Sequence, residues 1–233
     1  MAVIHHTTLT PTKLELIAEW LPLRPWYQGT GDVSRLARAG GFRLDDPEGE
    51  VGIEFMVVTD ASGDGPVAYL VPLTYRGAPL DGAGDGLVGT LEHGVLGKRW
   101  VYDGAHDPVM VEQLLALLAG RAAAQAQGES DTPDPAVGVL AGPAGVPAPL
   151  TGAGKVSDTA GATVVVVGAG GEAGPLHDLT LIRVLRPGPA VGDGIRGQVL
   201  AGWTAPDGAA ERGAFAFLGP ARRAAVPDGV SRA

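Results

Sequence analysis

The sequence predicts an α+β protein dominated by antiparallel strands. Three observations carry that expectation. Helix signatures stand at both ends of residues 10–120, runs of alternating hydrophobicity lie between them, and only short strand-like runs recur beyond a Gly-, Pro- and Asp-rich interruption.

The first helix has Thr10 as a possible cap and Pro11 at its first position. Leu14, Ile17, Ala18 and Leu21 then recur at i, i+3, i+4 and i+7, one apolar stripe, and Pro22 and Pro25 end it. Val51, Ile53, Phe55 and Val57 alternate along one strand face. Val67, Tyr69, Val71, Leu73 and Tyr75 do so in the next run, and residues 61–66 form the turn between them. Pro72 within the second run argues for an edge or a bulge. Residues 98–102 read as another strand. A second helix opens at Asp107-Pro108, a cap followed by Pro, with Val111, Leu114, Leu115 and Leu118 as its stripe and Gly120 as its stop.

Residues 1–120 therefore read as one unit of helix, sheet and helix. Residues 121–136 lack an apolar period and read as a linker. Short strands at 137–140, 163–167, 179–185, 198–204 and 214–218, separated by Gly, Pro and Asp-Gly turns, make 137–219 a small antiparallel sheet or partial barrel. Residues 220–233 read as a flexible tail.

Composition excludes several function classes. The formal charge is −9 with Lys and Arg scattered, which argues against nucleic-acid binding by phosphate neutralisation. There is no Cys, so disulfides, thiolate metal sites and Cys nucleophiles are ruled out. No apolar run approaches the roughly 20 residues that span a bilayer, and Met1-Ala-Val-Ile-His-His has no secretory pattern. A cytoplasmic protein with no membrane partner is expected. Hydrophobic content of 45% is ample for a core, supplied mostly by Ala, Val and Leu. Three Lys against fourteen Arg, with abundant Ala, Gly and Pro, fits a high-GC source such as an actinobacterium.

Several motifs fail on context. A strand running into Gly168-Ala-Gly170-Gly171-Glu172-Ala173 resembles a dinucleotide fingerprint, which needs a helix N-terminus facing the pyrophosphate. Pro175 follows and the next strand begins near Leu179, too soon for a crossover, so a hairpin loop is expected. Gly84 to Gly89 and Gly192 to Gly197 also match Gly-x-Gly-x-x-Gly, as 37 glycines allow by chance. Gly152-Ala-Gly154-Lys155-Val156 resembles a P-loop, with Pro149 where a Gly and Val156 where a hydroxyl is needed. His5-His6 has no partner at metal-ligand spacing, so no metal or cofactor is expected. Glu92-His93, in a Gly-rich turn, is a candidate acid/base pair without a nucleophile. His106-Asp107 sits at a helix start, where Asp107 as a cap accounts for it. Asp45, Asp46, Glu48 and Glu50 form an acidic turn, solvated or cation-binding.

The aromatic residues concentrate in three segments: 20–27, 69–76 and 97–108. These hold three of the four Trp and all four Tyr. Trp26-Tyr27 follows a helix stop, where the pair either plugs the open end of the sheet or meets a sugar or a partner. Trp100 and Tyr102 alternate onto one strand face, toward the core.

Leu21-Pro-Leu-Arg24-Pro-Trp26-Tyr27, Tyr69-Leu-Val-Pro72-Leu and Arg99-Trp-Val-Tyr-Asp-Gly-Ala-His-Asp-Pro108, in that order ahead of a Leu-rich helix, resemble the N-terminal cap of actinobacterial maltokinases and the related glucosamine kinases. The likeness covers about residues 10–120. It implies a cystatin-like fold for that unit, a helix against a curved antiparallel sheet, followed by a smaller β domain resembling a degenerate kinase N-lobe. Residues 179–188 are similar to the family strand that bears an ATP-positioning lysine. Leu181, Ile182 and Arg183 stand there, with no Lys, and the family's helical lobe with its catalytic Asp has no counterpart in the sequence. Phosphoryl transfer needs a metal clamp and a positioned base, so kinase activity is not expected to carry over.

Stand-alone proteins of this type are also labelled 1,4-α-glucan branching proteins, which implies a setting in glycogen, maltose and trehalose metabolism. No pair of carboxylates suited to glycoside hydrolysis is evident. The resemblance implies a non-catalytic accessory or regulatory protein that binds an enzyme of that metabolism through the cap. The alternative is a binding module for a small sugar or sugar phosphate. Trp26, Tyr27, Arg24, Tyr75 and Arg99 are the candidate contact residues, with no catalytic residue assigned.

Overall fold

The computed structural model describes residues 8–221 except 130, 149, 152–153 and 170–173. His5-His6, residues 170–173 of the Gly168 to Ala173 motif, residues 149, 152 and 153 of the P-loop-like segment and tail residues 222–233 lie outside the described residues.

In chain order the elements are β1 (Leu9–Thr10), α1 (Lys13–Trp20), β2 (Leu36–Leu44), β3 (Gly52–Asp60), β4 (Val67–Arg76), β5 (Leu87–His93), β6 (Gly97–Asp103) and α2 (Pro108–Leu118). They continue with β7 (Gly138–Ala141), β8 (Leu150–Thr151), β9 (Val156–Asp158), β10 (Ala162–Ala169), β11 (Leu176–Ile182), β12 (Gly197–Thr204) and β13 (Ala210–Pro220). The architecture is a mostly antiparallel sheet with two short α-helices. No helix among the described residues is long and apolar enough to cross a membrane.

Helix α1 starts two residues later than its sequence suggests. Thr10 pairs with Glu92 in β1, and Thr12 caps the helix instead. Thr12 and Glu15 form a reciprocal capping box: Thr12 Oγ1 accepts from the Glu15 amide, and the Thr12 amide donates to Glu15 Oε2. The box satisfies two amides where Thr10 could satisfy one. Helix α2 follows its signature. Asp107 accepts from the Val109 amide, and Gly120 ends the run with φ +70°.

The strand order is β1-β5-β6-β4-β3-β2-β12-β13-β11-β10-β8, with β7 on β12 and β9 on β10. The register Phe55↔Pro72, Met56↔Val71 and Val57↔Leu70 sends alternate residues of β3 and β4 to opposite faces. On one face, Met56, Val58, Tyr69, Val71 and Leu73 pack under α1 with Trp20 and Trp26. On the other, Ile53, Phe55, Val57 and Leu70 join α2 and the strands of the second half. Burial of both faces explains why the alternation shows only half of what these strands pack.

Pro72 lies where the outer neighbour of β4 changes. Residues 73–76 pair with β6, whereas the Leu70 amide donates outward to Arg183 O. Two residues on, Pro72 faces the same way, and its missing N–H falls in the gap between these neighbours.

Strands β2 and β5 are less apparent in the sequence. In β2, Gly40 and Gly41 have φ +139° and +122°, and the ladder shifts register between Arg38 and Gly40. A Cβ on Gly41 would lie 1.9 Å from Phe55 O, and one on Gly40 would crowd Trp203, the residue that pairs with Gly40. In β5, Glu92 pairs with Lys98, and His93 Nδ1 accepts from the Val95 and Leu96 amides in the following turn. Glu92 and His93 therefore end a strand. The acidic turn is organised from within: Asp46 is buried and accepts from the amides of Glu48, Glu50 and Val51.

The two halves share a core. Phe42 stacks on Phe55 at 4.5 Å and meets Phe215 at 6.0 Å, and Trp203 packs on Phe215. The strand path β4-β3-β2-β12-β13-β11 returns to β4 through an isolated bridge between Val184 and Tyr69. Residues 121–136 also pack: Gln125 exchanges both backbone hydrogen bonds with Arg43, and Ala124 is buried. Strands β10 and β11 pair antiparallel with Gly168 opposite Leu176, whereas a dinucleotide fingerprint stands between parallel strands.

Candidate functional site

The chain leaves α1 through a 3-10 turn, Leu21–Leu23, entered at Pro22. The Arg24 amide donates to Leu21 O and the Tyr27 amide to Arg24 O, both at 3.0 Å. These turns drive Trp26 inward. It is 1% exposed, edge-on to Trp20 at 5.8 Å, 5.9 Å from Tyr69, and faced by the Arg183 guanidinium at 5.2 Å. Of the two readings for Trp26, a plug or a contact surface, its burial fits the plug: both sides of its ring meet protein.

Tyr27 is half-buried. Its hydroxyl donates to Asp60 Oδ2 at 2.7 Å and accepts from the Gly31 amide, while Tyr69 Oη accepts from the Gln28 amide. Burial raises both phenols, that of Tyr69 to about 12, so both stay protonated at neutral pH. Arg24 is half-buried with its guanidinium 4.8 Å from the Trp20 ring. Arg24, Trp26 and Tyr27 thus form one cluster that braces the loop after α1.

Tyr75 belongs to a second cluster. Its hydroxyl donates to Glu54 Oε2 at 2.8 Å; Lys13 Nζ donates to the same oxygen at 2.5 Å, and Gln127 Nε2 donates to Oε1 at 3.3 Å. Arg38 lies 3.6 Å from Oε1. Burial works to raise the Glu54 carboxyl, but the Lys13 charge, the hydrogen bonds from Lys13 and Tyr75 and the Arg38 charge outweigh it and hold it low. Burial first, then the Glu54 charge, pushes the Tyr75 phenol well up. An ionised carboxylate ringed by donors is a clamp for α1 and a poor general base. Sequence reasoning passed over Glu54; the signal was the apolar pair Met56 and Val58 on the same strand face, which marks that face as buried. Arg99 joins neither cluster: it donates to Leu96 O in the β5–β6 turn.

A third group lies between the halves. Arg183 is fully buried and donates through Nε to Thr163 Oγ1 at 2.7 Å and through Nη2 to Asp103 Oδ2 at 2.5 Å. Thr163 Oγ1 in turn donates to Asp158 Oδ1, and Asp103 Oδ1 accepts from the Ala105 amide. The residue where the resemblance would seek a phosphate-binding lysine is thus spent on an internal ion pair. Nearby, a cleft of about 320 Å³ is lined from one side by Ala83, Asp85, His106 and Pro108 and from the other by Gly154 and Val156. None of the five candidate residues lines it, and among the described residues its ionisable side chains are Asp85 and His106. Asp107, beside it, is wholly buried and held by two hydrogen bonds of 2.7 Å from Arg76. Among the described residues no group of three or more His, Asp or Glu could hold a metal.

No curated protein matches the chain. Residues 20–107 match the family model of the maltokinase N-terminal cap domain. The match opens at the last residue of α1 and closes at the cap of α2, and so takes in β2 to β6 and all five candidate residues. Aromatic residues of the first two segments pack under α1, Trp100 and Tyr102 of the third alternate with Val101 onto the other side of the sheet, and the match marks residues 20–107 as maltokinase N-terminal cap-like.

Proposed function

We propose that the protein is a non-catalytic accessory or regulatory protein of α-glucan, maltose or trehalose metabolism, acting in the cytoplasm by binding a partner enzyme through its cap. The observation that carries this reading is how the cap uses its side chains. The aromatic and charged motif residues contact one another, while large apolar side chains stand in water: Leu23 is 72% exposed, Val95 61% and Leu96 46%. Exposed apolar anchors of this kind suit a protein interface better than a small-molecule cavity. On this reading residues 1–120 are a cystatin-like cap and residues 137–219 a degenerate, kinase N-lobe-like β domain from an actinobacterial chain.

The test is affinity capture with the tagged full chain from lysate of its source organism, wild type beside Leu23→Asp and Val95→Asp. Recovery of an enzyme acting on maltose, trehalose or glycogen, lost with either variant, is expected. Failure to recover any such enzyme contradicts the reading. The cleft beside Asp85 and His106 favours the second reading, a module for a small sugar or sugar phosphate. Titration of maltose, trehalose and maltose 1-phosphate followed by Trp fluorescence tests it, and no change at about millimolar ligand removes it.

A further inference from the structure

The backbone joins the two halves sparingly. Among the described residues, cross-strand pairing between them consists of Gly40↔Trp203 and the isolated bridge Tyr69↔Val184. Around these bridges the shared core is aliphatic and aromatic, with Leu70, Leu181, Val199 and Phe215 in one cluster. Apolar packing is non-directional, and one or two backbone bridges specify register weakly.

Into this seam the sequence places a guanidinium. Arg183 is the first residue beyond β11, where the chain leaves β10 and β13 and moves beside β4. Its carbonyl accepts from the Leu70 amide, and the Leu185 amide donates to Ala68 O. Its side chain then fans in three directions: Nε to Thr163, Nη2 to Asp103, and Nη1 3.5 Å from Leu70 O, with one face on Trp26. Two of these contacts, Asp103 and Thr163, belong to opposite halves, and they continue to Ala105 on one side and Asp158 on the other. Ala105 sits in one wall of the cleft, and Asp158 ends the strand whose Val156 lines the other.

A buried ion pair is a poor source of net stability, because desolvation offsets most of the attraction, and an apolar pair often does as well. Its geometry is the part that apolar residues cannot copy: a planar fork fits one arrangement of acceptors. We infer that the chain Ala105–Asp103–Arg183–Thr163–Asp158 is a registry lock, which selects one docking of the second half against the cap and thereby fixes the separation of the cleft walls. Arg183 and Asp103 are positioning residues in this account.

The experiment replaces both charges in the full chain, Arg183→Met with Asp103→Leu, and reads amide hydrogen exchange by residue. The expected result is a cooperative unfolding midpoint close to that of the wild type, with protection of the Gly104–His106 and Val156–Asp158 segments reduced about tenfold or more. Protection at Val57 and Val71, within the β3–β4 ladder, stays unchanged, which separates lost register from general loosening. If the double variant does not fold, Asp103→Asn, which keeps the shape and removes the charge, is measured in the same way; its midpoint falls because Arg183 is left buried without a counter-charge, and the expected result is the same selective loss of protection at the two segments. Native protection at both segments, or an equal loss at Val57 and Val71, overturns the inference.

Discussion

The core beneath α1 and the core between the halves are built from different materials. The first holds Trp20, Trp26 and Tyr69 and is bordered by Tyr27 and Tyr75, with Tyr hydroxyls tied to Asp60, the Gln28 amide and Glu54. Apart from Val184, its residues all come from before position 102. The second is Val, Leu, Ala and Phe with Ile53, Met110 and Trp203, and it draws residues from both halves. The motif residues that resemble the maltokinase cap supply aromatic residues of the first core, and Leu70 and Ala105 among them reach the second. The second core is completed by strands from beyond the matched segment. The cap-like domain here shares its larger core with the rest of the chain.

The most severe way to break this comparison is Phe55→Ala. Phe55 is fully buried in the shared core and stacked on Phe42, and its truncation costs about 3–5 kcal/mol. Urea unfolding should show the fluorescence and far-UV circular dichroism transitions moving together. A shift confined to one probe would mean that the two halves do not depend on this core alike.

A smaller effect belongs to the other face. Glu54→Gln removes the charge that Lys13 and Tyr75 address, at a cost of about 2 kcal/mol. Hydrogen exchange should rise in α1 and leave β12 and β13 protected. Equal loosening of both regions would erase the distinction between the cores.

How far the sequence reveals this follows from the range of each signal. Helix α2 is legible because Asp107, Pro108, its leucines and Gly120 lie within one short window. The strands from β10 to β13 are legible from short apolar runs between Gly and Pro turns. Strand β2 is obscured because its two glycines serve a close approach by Phe55 O and Trp203, contacts made by residues far away in sequence. Trp26 is visible as an aromatic after a helix stop, but its direction depends on the turns at Leu21 and Arg24 and on Arg183. The seam is hidden for the same reason: Arg183 and Asp103 are 80 residues apart, and no local pattern pairs them.

The smallest effect sharpens the comparison through pH. His177 is buried in β11; burial, then the nearby Arg196 charge, lower its pKa, opposed by the Gly219 backbone and Asp178. The unfolded chain then takes up a proton before the folded one as pH falls. Stability is full above about pH 6.5 and is lost as pH drops through the depressed folded-state value. His177→Gln should flatten the dependence of the unfolding midpoint below about pH 6.5. An unchanged slope would show that other groups set it.

The central claim is that the cap-like domain and the second half fold as one unit around a shared core. Differential scanning calorimetry of the full chain tests it most directly. The account predicts a single transition whose calorimetric and van't Hoff enthalpies agree, about a ratio of one. Two resolved transitions, or a calorimetric enthalpy well above the van't Hoff value, would contradict it.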